Sequence, residues 1–162
     1  MIDQLASACR RSMEKRSLNK AAVAQQQLEG AISELFMGNW ACAITLAGAA
    51  EDALPLSAPQ DDVFRGVLEF EMKKHNKTEK EIANELNRQR NWLKHYSEKN
   101  GDKFSDAMEF EQIDAVFMIL RAHSRFVHTT KSKSIILLRF ETWFKETHPD
   151  WFLSQNTNGG VS

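Results

Sequence analysis

Glycine and proline are scarce in this sequence, seven and three residues among 162, so few points force a helix to stop. Cysteine is scarcer still. Cys9 and Cys42 make neither a CxxC pair nor a disulfide framework, which fits a reducing compartment, and a cytoplasmic location is expected. An excess of one charge is also missing: 21 Lys and Arg face 22 Asp and Glu, a formal net charge of -1. That balance excludes a strongly basic protein gripping long duplex through many phosphates, and leaves room for a small basic site. Long apolar runs are absent as well. Ala41 to Ala50 is about half the roughly 20 residues that span a bilayer, and Glu51 and Asp52 close it. The opening Met1-Ile2-Asp3-Gln4 lacks the basic start and apolar run of a secretory signal, so no membrane partner is expected.

What is present is helical periodicity. Ile2, Leu5, Cys9 and Met13 give a thin stripe over Ile2 to Arg16, expected on the outside. A helix from Asn19 to Met37 carries Val23, Leu28, Ile32, Leu35 and Phe36 inward, and Gly38 ends it. Asn39 then caps Trp40 to Leu54, whose Ala41, Ala43, Ala47, Gly48, Ala49 and Ala50 let another backbone approach closely. This helix is expected to be central, ended by Pro55. Asp61 or Asp62 starts a helix to His75 with Val63, Phe64, Val67, Leu68 and Met72 inward. Thr78 and Glu81 read as a capping box opening a helix with Ile82, Leu86, Leu93 and Tyr96, stopped at Lys99-Asn100-Gly101-Asp102. Ser105 begins a long helix to Val127 that buries Met108, Ile113, Val116, Phe117, Leu120 and Phe126. Ser134 to Thr147 is the last, before His148-Pro149. These spans predict an all-α, antiparallel helical bundle of about five to six helices, one domain over residues 1-153, with a flexible tail over 154-162.

Several chemistries are excluded by missing motifs. Neither GxGxxG nor GxxxxGK[S/T] occurs, so dinucleotide and P-loop cradles have no support, and there is no HExxH. No histidine has a glutamate three residues before it, as a di-metal bundle requires. No metal and no cofactor are expected.

The chemistry-bearing segment is Arg88-Gln89-Arg90-Asn91-Trp92-Leu93-Lys94-His95-Tyr96. At about 100° per residue, Ile82, Leu86, Leu93 and Tyr96 face inward, and Arg88, Asn91 and His95 lie together within about 60° on the other side. Arg90 and Lys94 fall on the flank beyond Asn91. An imidazole among cations and beside an amide is held toward its neutral form, suited to proton transfer near neutral pH, and the cations suit a phosphate.

Arg90-Asn91-Trp92-Leu93-Lys94-His95 has the form R-N-x-x-x-H and resembles the Rx4-6H motif of HEPN (higher eukaryotes and prokaryotes nucleotide-binding) domains. The upstream Leu46-Ala47-Gly48-Ala49-Ala50-Glu51-Asp52-Ala53-Leu54 is similar to a small-residue helix ending in an acidic pair in some uncharacterised members. With the helix order from Asn19 to Phe126, the resemblance covers about two thirds of the chain. Arg88 to His95 and Arg121 to His128 also satisfy the spacing as Rx6H.

The resemblance implies a helical homodimer, in which Arg90 and His95 of two copies meet in one cleft, and a metal-independent endoribonuclease of the toxin or defence type. On that reading His95 is the general base or acid, Arg90 holds the scissile phosphate, and Asn91 orients either. Glu51, Arg88, Lys94 and Tyr96 are supporting residues, with Glu51 able to reach and direct the Arg90 guanidinium. The product would carry a 2',3'-cyclic phosphate. The partners implied are an RNA substrate and an antitoxin protein. In members partnered with a nucleotidyltransferase antitoxin the motif is RxxxxHxY. Here Tyr96 directly follows His95, and Ser97 stands where that tyrosine would be. The alternative is a non-catalytic dimerisation, interaction or nucleotide-binding module. Trp92, Trp143 and Trp151 read as packing anchors. His123 and His128 are poorly spaced for a shared metal. Arg125, Lys131, Lys133 and Arg139 form a basic patch able to guide RNA.

Overall fold

In the computed structural model, the structure describes residues 16-55, 63-94 and 107-149, and within these not the side chains of 63, 64, 70, 71, 73 and 74. Seven helices lie among the described residues: α1 Lys20–Phe36, α2 Trp40–Asp52, α3 Val63–His75, α4 Glu79–Leu86, α5 Arg88–Lys94, α6 Gln112–Thr130 and α7 Ile135–Thr147. No strand occurs among them, and the protein is an all-α helical bundle. No described helix is long and apolar enough to cross a membrane. The expected first helix at Ile2 to Arg16, the turn at 99-102, Trp151 and the tail at 154-162 fall outside the described residues.

Local signals set most helix ends. The Asn19 side chain accepts from Ala22 N at 2.8 Å and starts α1, satisfying an amide with no partner inside the helix. At the other end Gly38 takes φ 80°, a left-handed conformation that costs glycine little, while Asn39 N reaches back to Glu34 O at 2.9 Å. Three residues therefore reverse the chain, and α1 and α2 pack as antiparallel neighbours. Asn39 occupies the N-cap position of α2 but makes no side-chain cap, because its amide turns back to Glu34 Oε2 at 2.7 Å. The Thr78–Glu81 capping box is formed at α4, with Thr78 N donating to Glu81 Oε2 at 2.8 Å.

Two expected boundaries are corrected. The long helix begins at Gln112, not Ser105, because Glu111 and Asp114 cap each other's backbone, Glu111 N donating to Asp114 Oδ2 at 2.9 Å. It runs on to Thr130, and Lys131 ends it at φ 54°. The helix expected to run on from Thr78 breaks at Asn87 into α4 and α5. There the Asn87 amide bonds to Ala83 O at 2.8 Å, a side chain competing for the helix's own acceptor.

The core lies where α1, α2, α6 and α7 meet. Leu28, Ile32 and Leu35 of α1 face Ala43, Ile44 and Ala47 of α2, with Val116, Ile119 and Phe126 of α6 and Leu137 and Phe140 of α7 completing it. Phe126 and Phe140 are fully buried, each contributing about 1.5–3 kcal/mol by leaving water. The small residues of α2 make it central, as expected. Phe36 is an exception among the expected inward residues: it is exposed and sets its ring edge-on against Trp143, centroids 5.2 Å apart.

Candidate functional site

Glu51 ends the alanine-rich face of α2 and is 1% exposed. A carboxylate so removed from water must be compensated, and α6 supplies the means. Arg121, on the same face as core residues, donates from Nε to Glu51 Oε1 at 3.0 Å and from Nη2 to Oε2 at 2.9 Å. This is the two-pronged arrangement that suits guanidinium to carboxylate. One turn on, Arg125 Nη2 stands 3.3 Å from Oε1. Arg90 of α5 approaches from the other side, its Nη1 3.3 Å from Oε2. Three guanidinium groups thus converge on one buried carboxylate. Arg121 also donates from Nη1 to Asn87 Oδ1 at 2.9 Å, and its guanidinium lies over the Phe117 ring, 5.6 Å from the centroid. Burial pulls the Arg121 pKa down, Glu51 opposes this, and Arg90 and Arg125 add repulsion.

The outer layer of the cluster is wetter. Asp52 is exposed, and its two oxygens are divided between Arg90 Nη2 and Lys94 Nζ. Burial raises the Asp52 pKa, but the hydrogen bonds and charges of Lys94 and Arg90 outweigh it, and the carboxyl is held below its ordinary range. Gly48 makes the approach of α5 possible. A Cβ there would stand 3.1 Å from Arg90 Nε, so any larger residue would press on this guanidinium. Beside Arg90, a cavity of about 110 Å³ is lined by Ile44, Glu85, Gln89, Asp114 and Phe117 among others.

Of the expected site residues, the structure brings together Glu51, Arg90 and Lys94. Arg88 and Asn91 are exposed on α5 and stand outside the cluster. His95 and Tyr96 follow directly on Lys94 and lie outside the described residues. Arg90 corrects the helical-wheel expectation. It is turned inward against α2, its side chain only 14% exposed, because the break at Asn87 resets the face that α5 presents. Trp92 is a packing residue, edge-on to Phe110 at 6.0 Å.

Arg121, Arg125 and Asn87 are the members that sequence reasoning missed. Two arginines four residues apart, set among Phe117, Met118, Ala122 and Phe126 of one helix, were the available signal, since such a charge requires a buried partner. Among the described residues no group of three or more His, Cys, Asp or Glu could hold a metal ion. Chemically, the arrangement can fix a guanidinium and an ammonium side by side, each already turned toward an oxygen anion. Comparison with family models, curated proteins and solved structures returned no match.

Proposed function

We propose that the chain is a metal-independent endoribonuclease of the HEPN toxin or defence type, a cytoplasmic homodimer in which Arg90 and His95 of each copy act in one cleft. One observation carries this reading. Arg90 and Lys94 share the half-exposed carboxylate of Asp52, immediately before His95, while Glu51 behind them is bound by Arg121. A phosphodiester offers two oxygens of the same charge and similar spacing, so it can replace Asp52 on the same two cations without moving the arginine from Glu51. The preorganised guanidinium then meets the charge that develops on the phosphate. His95 would take the proton of the ribose 2'-hydroxyl or give one to the leaving 5'-oxygen. An antitoxin protein would act by covering this face.

A second reading, a non-catalytic dimerisation or nucleotide-binding module, is favoured by the depth at which Arg90 is tied to two carboxylates, as a purely structural arginine would be. The readings separate on single-stranded RNA with chelator present. The nuclease reading expects cleavage to 2',3'-cyclic phosphate ends, lost in Arg90→Ala and His95→Ala while the dimer persists. Silence of the wild type on varied RNAs favours the module.

A further inference from the structure

Where α4 and α5 meet α2 and α6, a cavity of about 110 Å³ lies beside Arg90. Ile44 of α2 with Phe117 and Met118 of α6 give it an apolar side, each of the three at most 8% exposed. Glu85, Gln89, Arg90 and Asp114 are its polar wall, and all four keep hydrogen-bonding capacity. Glu85 engages Lys77 Nζ through Oε1 at 2.6 Å, and Asp114 accepts from Glu111 N through Oδ2 at 2.9 Å. The second oxygen of each carboxylate and the Gln89 amide have no partner among the described residues. Arg90 turns Nη1 and Nη2 to Glu51 and Asp52, and its Nε is buried without an acceptor. A buried donor left in this way is costly, and such groups are uncommon enough to call for an explanation.

The wall decides which group fits. Two carboxylates repel an anion, and the Arg90 donor with the apolar side is unsuited to a bare cation. A neutral ring fits, provided that it offers N–H to oxygen and a lone pair to Arg90. A closed cavity of about 150 Å³ takes one benzene ring, so this one, bordered by the exposed Glu85, admits a single six-membered ring and no fused pair. The same arginine borders the cavity and holds Asp52, the carboxylate that a phosphodiester replaces in the proposed function. A base and the phosphate beside it therefore fall within reach of one side chain. Among single-ring bases, cytosine has an amino group where uracil has a carbonyl, and a ring lone pair where uracil has N–H. A carboxylate accepts from that amino group. Uracil would set oxygen against carboxylate and N–H against Arg90, leaving buried groups unpaired.

We propose that this cavity takes a cytosine ring of the strand whose phosphate lies on Arg90 and Lys94, with Asp114 accepting from the amino group, Arg90 Nε donating to the ring lone pair, and Gln89 completing the polar edge. The inference rests on the proposed function in one respect, the phosphate that brings a nucleotide to Arg90. It does not require that the strand be cut.

Calorimetric titration of the full chain with the deoxycytidine and the deoxyuridine dinucleotide, neither of which has the 2'-hydroxyl needed for cleavage, tests it. The cytosine form should bind more tightly by about fivefold or more. Asp114→Asn keeps an oxygen for Glu111 N and offers N–H in place of the other, so the preference should vanish or reverse. Gln89→Ala removes a half-buried amide with no bond in the protein to lose. It should also narrow the preference, and it carries the test if Asp114→Asn disturbs the start of α6. Equal affinity of wild type for the two dinucleotides, binding of neither at about 10 mM, or a preference unchanged in both variants overturns the proposal. Cleavage of single-stranded RNA is measured on the same preparation. RNA cut without any preference between the dinucleotides overturns the cytosine site and leaves the nuclease reading standing. A cytosine preference in a protein that cuts no RNA upholds the site and overturns the nuclease.

Discussion

Replacing Glu51 by glutamine keeps the shape of the side chain and removes the charge on which three guanidinium groups converge. Arg121 would then keep one bond, to the amide oxygen, lose the other of the two now at 2.9 and 3.0 Å and face no opposite charge, and Arg90 and Arg125 would lose an ion partner at 3.3 Å. Arg121 is 3% exposed, so water cannot take over. Removing one partner of a buried pair costs about 3–5 kcal/mol, because the other charge stays buried without compensation. For a chain of this size each kcal/mol lowers Tm by roughly 2–4 °C, so the midpoint should fall by about 6–20 °C. Urea unfolding should show a lower midpoint at an unchanged slope, the sign of altered stability rather than altered compactness. The double variant Glu51→Met/Arg121→Met removes both charges, and its loss should fall short of the sum of the single losses by about 0.5–3 kcal/mol. A loss under about 1 kcal/mol in Glu51→Gln, or strict additivity in the double variant, would refute the view that Glu51 organises the arginines.

Asp52→Asn should leave stability within about 1 kcal/mol, since its ion pairs are partly exposed, yet tighten binding of a 2'-deoxy dinucleotide by freeing Arg90 and Lys94, as read by calorimetry. Gly48→Val should destabilise by about 1–3 kcal/mol through pressure on Arg90, and urea unfolding in an Arg90→Ala background should show that cost shrink. Burial lowers the His123 pKa from its ordinary 6.5, Glu141 raises it and Lys133 lowers it. The folded value lies below the unfolded one, so its contribution is intact above about pH 6.5 and is lost as pH falls through the folded value. Stability of wild type against His123→Gln from pH 8 to 5, about the range in which histidine titrates, should diverge below about 6.5.

Signals that act over a few residues were legible in the sequence. The Thr78–Glu81 box and the Gly38 stop each depend on atoms three or four positions apart, and each forms as the spacing implies. The small residues of α2 correctly marked it as central, because close approach is a property of the residues themselves. The start of α6 was not legible: Met108 continues the apolar period upstream, and nothing in that period reveals that Glu111 and Asp114 will cap each other. Nor was the break at Asn87, where the side chain is held between Ala83 O and an arginine 34 positions away. At the candidate site, Glu51 with Arg90 and Lys94 could be read from charge type and motif. Arg121 looked like a spacing coincidence and Arg125 like part of a surface patch. Their direction is set by a carboxylate 70 positions earlier in the case of Arg121, a contact that only the packing of α2 on α6 creates.

The most direct measurement is the arginine side-chain Nε–H spectrum of the full chain during titration with a non-cleavable 2'-deoxy dinucleotide. Assignment would come from Arg90→Lys, Arg121→Lys and Arg125→Lys. The account predicts that the Arg90 resonance shifts saturably while that of Arg121, bound within the cluster, stays in place. An Arg90 resonance unmoved at saturating ligand, or equal shifts across all three arginines, would contradict it.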